Sequence, residues 1–319
     1  MDLVTFLQAA FLGVIEGITE FLPISSTGHL ILVEDLLGFE GPPGKTFEIV
    51  IQLGAILSVC WLFRERLIDV ARKIFRSSRA QHYTRNILLA FIPSTIVGAL
   101  AYKTIKTALF NPWVVSFALI VGGIAILIIE RMVKNPKYTV IEDVPAVRAL
   151  GVGLFQCISM IPGTSRAAAT ILGALMVGMT RQAAAEFSFI LAIPTMFAAS
   201  AYDLYKNRDT LSVDGLGVIA VGFVVAFIVA LIVVRWMIGF ISKHGFAPFA
   251  YYRIVLGMVM IGILTMRGPH APAPAEPPQV SAPIAAPEAV AAPTPPPSSA
   301  PTPSETPEQP APAEQATPP

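Results

Sequence analysis

The chain has 319 residues, 54% of them apolar and 13% charged, with a mean hydropathy of +0.67 and a net charge of +1. Soluble chains carry about 25% charged residues, so the composition excludes an ordinary soluble enzyme and indicates an integral membrane protein. The near-neutral charge leaves no electrostatic footprint for nucleic acid, and Cys60 and Cys157, both inside apolar runs, have neither metal-ligand nor disulfide spacing.

In chain order, the first apolar stretch follows Asp2 rather than a basic segment and carries Glu16 and Glu20, so it does not read as a cleaved signal peptide. A helical piece from Val4 to Leu22 stops at Pro23 and a second runs from Ser26 to Leu37. Six segments approach the ~20 residues a spanning helix needs: Phe47 to Phe63, Asn86 to Tyr102, Pro112 to Glu130, Ala183 to Tyr205, Gly215 to Met237 and Phe249 to Met266. Between the third and fourth lies another broken pair, Val147 to Ile161 ending at Pro162, then Ser165 to Val177. Helical pieces broken at Pro, with hydroxyl and Gly residues at the break, read as re-entrant hairpins. Irregular backbone survives at membrane depth only when protein or a wet cavity surrounds it.

The two halves look duplicated. Ser26 and Ser165, each three residues after a proline, are 139 apart; Glu48 and Glu186 are 138 apart; Pro112 and Pro248 are 136 apart. The expected architecture is an all-α integral membrane protein with an inverted-topology repeat: six transmembrane helices plus two re-entrant helical hairpins. The membrane domain covers 1–267, with repeats at about 1–135 and 145–267. Such repeats put a site near the midplane, built from half-helix ends. Eighteen of the 28 prolines fall in 268–319, and so Pro/Ala-rich a segment cannot bury a core; it reads as a disordered tail.

Seven Lys/Arg cluster in the loop from Arg64 to Arg85. Threading the six spans from there places fourteen Lys/Arg on that side and six on the other, with Arg253 left out of the count. The positive side is expected to be cytoplasmic. The first hairpin and the C-terminal tail then face outward.

Glu16 and Glu20 sit four apart on one helix face. A charge at the bilayer centre costs about 2.5–3.5 kcal/mol on the insertion scale, so an intramembrane carboxylate pair reads as functional. The break that follows runs Pro23-Ile24-Ser25-Ser26-Thr27-Gly28-His29. A hydroxyl residue caps a fresh helix there, and its free N–H groups favour an anion. The second break runs Pro162-Gly163-Thr164-Ser165-Arg166, with Thr170 one turn on. Arg166 is suited to bidentate phosphate binding or to pairing with Glu16 or Glu20.

Glu16 to His29 (EGITEFLPISSTGH), with Pro-Gly-Thr-Ser-Arg-x-x-x-Thr from Pro162 to Thr170, resembles the undecaprenyl-diphosphate phosphatase family, also called bacitracin-resistance proteins. The resemblance extends to about Arg267. It implies the inverted-repeat fold and a bacterial inner-membrane enzyme. The implied activity removes the terminal phosphate of undecaprenyl diphosphate, recycling the lipid carrier of cell-wall glycans, with a divalent metal required. The family motifs fall on Glu16, Glu20, Ser26, His29, Ser165, Arg166 and Thr170. Two departures stand out: Ala167 replaces the family's usual Ser, and the Pro-rich tail is outside the family pattern.

With a diphosphate monoester of about −3, two glutamates and one arginine, the site would carry near −4 without a counter-ion. That charge is untenable at low dielectric, so a divalent cation on Glu16 and Glu20 is expected, with Mg²⁺ or Ca²⁺ suiting oxygen ligands. The catalytic set expected is Glu20, Ser26, His29 and Arg166: Ser26 as nucleophile, Glu20 as base or through the metal, His29 moving a proton, Arg166 on the phosphoryl oxygens. His29 as nucleophile and attack by metal-bound water stay open. Ser25, Thr27, Gly163, Ser165 and Thr170 are expected to bind the substrate phosphates. The expected partners are the polyprenyl diphosphate lipid and the bilayer, with no nucleic acid. The alternative function is a lipid-phosphate flippase or anion transporter with the same midplane site.

Overall fold

The structure is a computed structural model and describes residues 3–39, 46–109, 111–206 and 215–266. The tail at 268–319 lies outside them. Among the described residues every regular element is a helix, apart from one isolated bridge between Tyr138 and Met179. The helices are α1 (Leu3–Thr19), α2 (Ser26–Leu37), α3 (Thr46–Leu62), α4 (Arg64–Lys73), α5 (Ser78–Ala108), α6 (Pro112–Met132), α7 (Ala146–Ile158), α8 (Arg166–Met176), α9 (Arg181–Lys206), α10 (Leu216–His244) and α11 (Ala247–Met266). Five of these, α5, α6, α9, α10 and α11, are long and apolar enough to cross a membrane. The α3–α4 pair would make a sixth, bent by 69°. The protein is therefore a multi-pass, all-helical membrane protein.

Both broken helices stop one turn earlier than expected from the apolar pattern. α1 ends at Thr19 rather than Leu22, and α7 ends at Ile158 rather than Ile161. The reason is the same in each. Pro23 and Pro162 lack the N–H that would bond the carbonyl four residues back, and their rings crowd that carbonyl. The expected loop from Arg64 to Arg85 is also mostly helical. It holds α4, braced by an Asp69–Lys73 ion pair at i, i+4 and ending in Arg72 and Lys73, which complement the helix dipole. The first turns of α5 lie there too.

The helices pack in a paired pattern. α1 lies on α10, and α7 lies on α5; α3 meets α9, and α6 meets α11. Asn111 starts α6 by accepting from the Val114 N–H at 2.9 Å, with Pro112 in the first turn. One exception breaks the pairing. α3 packs closely on α10, whereas the α5–α9 contact is slighter. Beside it, a cavity of about 350 Å³ is lined by Ser94, Gly98, Gln156, Thr195 and Ala198 among others.

The backbone breaks are held by a residue outside both of them. Arg253 of α11 is fully buried. Its Nη1 donates to the carbonyls of Pro23 (3.1 Å) and Thr164 (2.8 Å). Its Nη2 donates to Gly163 (3.1 Å) and Ala118 (3.1 Å), and its Nε to Leu119 (3.3 Å). A guanidinium has five N–H donors, and here each meets a carbonyl. Two tight approaches permit this. A Cβ at Gly122 would collide with the Arg253 guanidinium. Gly163, at φ +90°, brings its backbone against Val115, whose Cα would sit 2.9 Å from an added Cβ.

A second polar cluster ties the arginine-rich end together. Glu142, in a 3-10 turn at Ile141–Asp143, accepts from Arg66 Nη2 (2.8 Å) and Arg79 Nε (2.6 Å). Arg66 also pairs with Glu186 at the start of α9 (2.9 Å). Asn86 donates to the carbonyls of Ile141 (2.9 Å) and Val144 (2.7 Å). Burial alone would push the Glu142 carboxyl up, but hydrogen bonds from the backbone and Arg79, with the charges of both arginines, hold it below its ordinary value of 4.5.

Two outcomes follow. A group whose native pKa is lowered stabilises the fold above the ordinary carboxylate range, and that stabilisation is lost as pH falls through the native value. Acidification from neutral to below 4.5 should therefore lower the melting temperature in detergent, and Glu142→Gln should make that fall shallower; equal slopes in both proteins would refute the assignment. Arg253→Lys keeps a cation but strands carbonyls at both breaks. It should cost about 3 kcal/mol, read as a melting temperature lower by roughly 6–12 °C. A wild-type melting curve would show that the clamp is dispensable.

Candidate active site

The two breaks produce the same backbone feature. Ser25 and Ser165 are the non-glycine residues with positive φ among the described residues, at 74° and 72°. Each immediately precedes a helix, α2 or α8. A left-handed residue with a Cβ is uncommon and marks a turn under constraint. Ser25 thus shares the backbone conformation of Ser165, one residue before the Ser26 that the sequence spacing pairs with it, a register of 140 rather than 139. In that register Glu16 corresponds to Gln156, and both are buried. Ser26 then corresponds to Arg166, so like positions carry unlike chemistry.

Ser165 caps α8, its side chain accepting from the Ala168 N–H at 3.2 Å. This aims Arg166, the first residue of α8, across to the other break. Its Nη2 meets Glu20 Oε1 at 3.1 Å, and both side chains are nearly buried. The other carboxylate oxygen, Glu20 Oε2, accepts the Ser26 hydroxyl at 2.5 Å. One carboxylate thus joins the two breaks, with a hydroxyl on one side and a guanidinium on the other. Hydrogen bonds with an ionised partner are the shorter and stronger kind.

Arg166 is held by more than Glu20. Nη1 donates to the Ser188 carbonyl at 3.1 Å and lies 3.5 Å from its hydroxyl. Nη2 lies 3.5 Å from Met196 Sδ, and the guanidinium carbon sits 5.5 Å from the centre of the Phe21 ring. Its Nε–H is buried and has no hydrogen-bond partner among the described residues, leaving one donor for an incoming acceptor. Thr170 donates back to the carbonyl of Arg166 or Ala167, and its hydroxyl shares a 2.6 Å bond with Ser188. At the departure from the motif, Ala167 is fully buried, and Ser188 of α9 brings a hydroxyl onto Thr170 and Arg166.

The structure does not bring every expected residue to this cluster. His29 does not bond Ser26; its Nδ1 lies 2.7 Å from the Ser25 carbonyl and its Nε2 2.7 Å from the Tyr252 hydroxyl. Thr27 is exposed, and no hydrogen bond among the described residues links it to the others. Gly163 directs its carbonyl to Arg253. Glu16 is buried one turn before Glu20, and its Oε2 has no hydrogen-bond partner among the described residues.

That orphaned oxygen bears on the metal. The Glu16 and Glu20 carboxylates are hard oxygen donors, as Mg²⁺ or Ca²⁺ requires, and an orphaned buried carboxylate oxygen is a place for a cation. No group of three or more His, Cys, Asp or Glu side chains converges among the described residues. The residues thus fit an ion that takes its remaining ligands from phosphate or water, the usual mode for Mg²⁺, rather than a closed protein cage.

Four contributors escaped the sequence reading. Arg253 carried a signal, an always-charged residue in an apolar span, but was left out of the charge count. Tyr252 beside it, Ser188 and Phe21 had no local signal, because each acts through residues far away in the chain.

Residues 9–259 match the family described as bacitracin resistance protein BacA. Among similar proteins, the Undecaprenyl-diphosphatase 2 of Paramagnetospirillum magneticum is 58% identical over 261 residues, which cover 82% of this chain and 100% of that protein. The Undecaprenyl-diphosphatase of Aromatoleum aromaticum is 51% identical, covering 82% of this chain and 95% of its own. The Undecaprenyl-diphosphatase 1 of Agrobacterium fabrum is 49% identical over 265 residues, covering 83% and 98%. The match over most of the membrane domain and the likeness over nearly the full length of these relatives lead to one conclusion: the chain belongs to the bacitracin resistance protein BacA family.

Proposed function

We propose that the protein hydrolyses undecaprenyl diphosphate to undecaprenyl phosphate and inorganic phosphate, recycling the lipid carrier for peptidoglycan and other cell-wall glycans and so conferring bacitracin resistance. The observation that carries the chemistry is Glu20 bonded at once to Ser26 and Arg166. The relatives' names favour hydrolysis over the flippase or anion-transporter alternative.

In this reading Glu20 takes the Ser26 hydroxyl proton as Ser26 Oγ attacks the terminal phosphorus. The anhydride P–O bond breaks and the electron pair leaves with undecaprenyl phosphate. Protonation neutralises Glu20, which weakens its hold on Arg166 and frees the guanidinium for the phosphoryl oxygens as their charge develops. Water then hydrolyses the phosphoserine, with Glu20 returning its proton to Ser26. Ser165, Thr170 and the N–H groups opening α2 and α8 complete the phosphate site, with Ser25, Thr27 and Gly163 shaping the turns around it. A divalent cation on Glu16 and Glu20, when bound, would offset the substrate's negative charge.

The paired packing and the matching serines support an inverted repeat with two re-entrant hairpins and six spans, the bent α3–α4 pair supplying one of them. The lysine and arginine count supports an inner-membrane orientation with the first hairpin and the tail outward.

The test is phosphate release from undecaprenyl diphosphate by purified protein in detergent. Wild type should release phosphate with added Mg²⁺ or Ca²⁺ and stop with EDTA. Ser26→Ala, Glu20→Gln and Arg166→Ala should each lose at least about a hundredfold in kcat/KM, the scale of losing a nucleophile, a base or a charge-stabilising donor. Acid quench after labelled substrate should trap phosphate on Ser26. Full activity in Ser26→Ala would leave His29 or water as the nucleophile, and a folded but inactive wild type would reject the activity.

A further inference from the structure

We infer that Tyr252 is a positioning residue: it holds His29 in one orientation, and through His29 it holds the Ser25 turn that presents Ser26 to Glu20. The inference rests on the phosphatase reading and names a residue that the site motifs do not contain.

A carbonyl oxygen only accepts, so the 2.7 Å contact with Ser25 requires the proton on Nδ1 of His29. In the neutral ring Nε2 is then a lone pair, and the Tyr252 hydroxyl, 2.7 Å away, is its donor. The two rings lie within 7° of parallel with centroids 5.6 Å apart, so Tyr252 fixes the plane of the imidazole while the Ser25 carbonyl fixes its proton. A ring flip would lose both bonds, and a move to the Nε2–H tautomer would set a lone pair against the Ser25 carbonyl.

That carbonyl belongs to the strained turn. Ser25 has φ 74°, and its carbonyl also takes the His29 backbone N–H at 3.4 Å. The next residue is Ser26, whose hydroxyl reaches Glu20. A sub-ångström shift of the turn moves that hydroxyl directly, and misplacement of about 1 Å at a reacting group can cost a hundredfold in rate. Tyr252 is itself immobilised by its neighbour, because Arg253 binds carbonyls of both breaks. Adjacent residues of α11 therefore serve the site in different ways, one on the backbone and one on the histidine.

The experiment pairs kinetics with a signal from the ring. Phosphate release would be measured for wild type, Tyr252→Phe, His29→Gln and the double variant, with melting curves as a folding control. Tyr252→Phe removes one oxygen from a half-exposed side chain. It should lower kcat roughly ten- to a hundredfold with KM within about twofold, since Tyr252 does not hold substrate. In the His29→Gln background it should cost nothing further. In ¹⁵N-histidine-labelled protein, the His29 resonances, assigned by their absence from His29→Gln, should show Nδ1 protonated and Nε2 hydrogen-bonded in wild type. Tyr252→Phe should move them. Equal kcat losses in both backgrounds, or a His29 spectrum that Tyr252→Phe leaves unmoved, would overturn the inference. A wild type that releases no phosphate counts against the phosphatase reading alone, and the spectrum then decides the positioning role.

Discussion

Five backbone carbonyls, three at the helix breaks and two on α6, converge on the Arg253 guanidinium, and the rest of the site depends on that contact. In an apolar surrounding an unsatisfied peptide group is costly, so a helix can be broken there only if something else satisfies the freed groups. Arg253 does this for both breaks at once. Its five N–H donors match five acceptors, and no lone carboxylate is needed beside it. The cost is close packing around the guanidinium, which is why a glycine stands at position 122.

Once the breaks are locked side by side, the chemistry divides between them. The first supplies Glu20 and Ser26, the second Arg166 and Thr170, and the Glu20 carboxylate is the link. The backbone of the two breaks is alike, down to the left-handed serines, while the side chains differ. Gln156 stands where the other half has Glu16, and it is satisfied by bonds with Ser94 and Thr195. A neutral amide at that position adds no charge, so the anionic character of the centre comes from Glu16 and Glu20. The cavity of about 350 Å³ lies on the Gln156 side, and Glu16, Glu20, Ser26 and Arg166 do not line it.

The arginine-rich end solves a different problem. There Arg66 bridges Glu142 and Glu186 and covers the Tyr83 ring, while Asn86 takes the carbonyls at both ends of the 3-10 turn. These bonds tie α4, α5 and α9 to the connection leading into α7. They hold the approach to α7 while Arg253 holds the break between α7 and α8.

The sequence by itself determined the membrane class, the positions of the helices and where they are interrupted, because hydropathy, proline and capping chemistry are local properties. Pro23 and Pro162 located both breaks to within a turn, and an apolar helix carrying Glu16 and Glu20 marked the site. The motif from Glu16 to His29 and that from Pro162 to Thr170 pointed to the family. The tertiary structure decided which groups meet. Ser26 faces Glu20 and His29 faces Tyr252, although all the expected catalytic residues of the first half lie within fourteen positions of one another. Ser188, Tyr252 and Arg253 join the site from α9 and α11, and the shared left-handed conformation of Ser25 and Ser165 emerged only from the backbone. These are long-range outcomes of how the helices pack, and no local pattern encodes the partner of a buried donor.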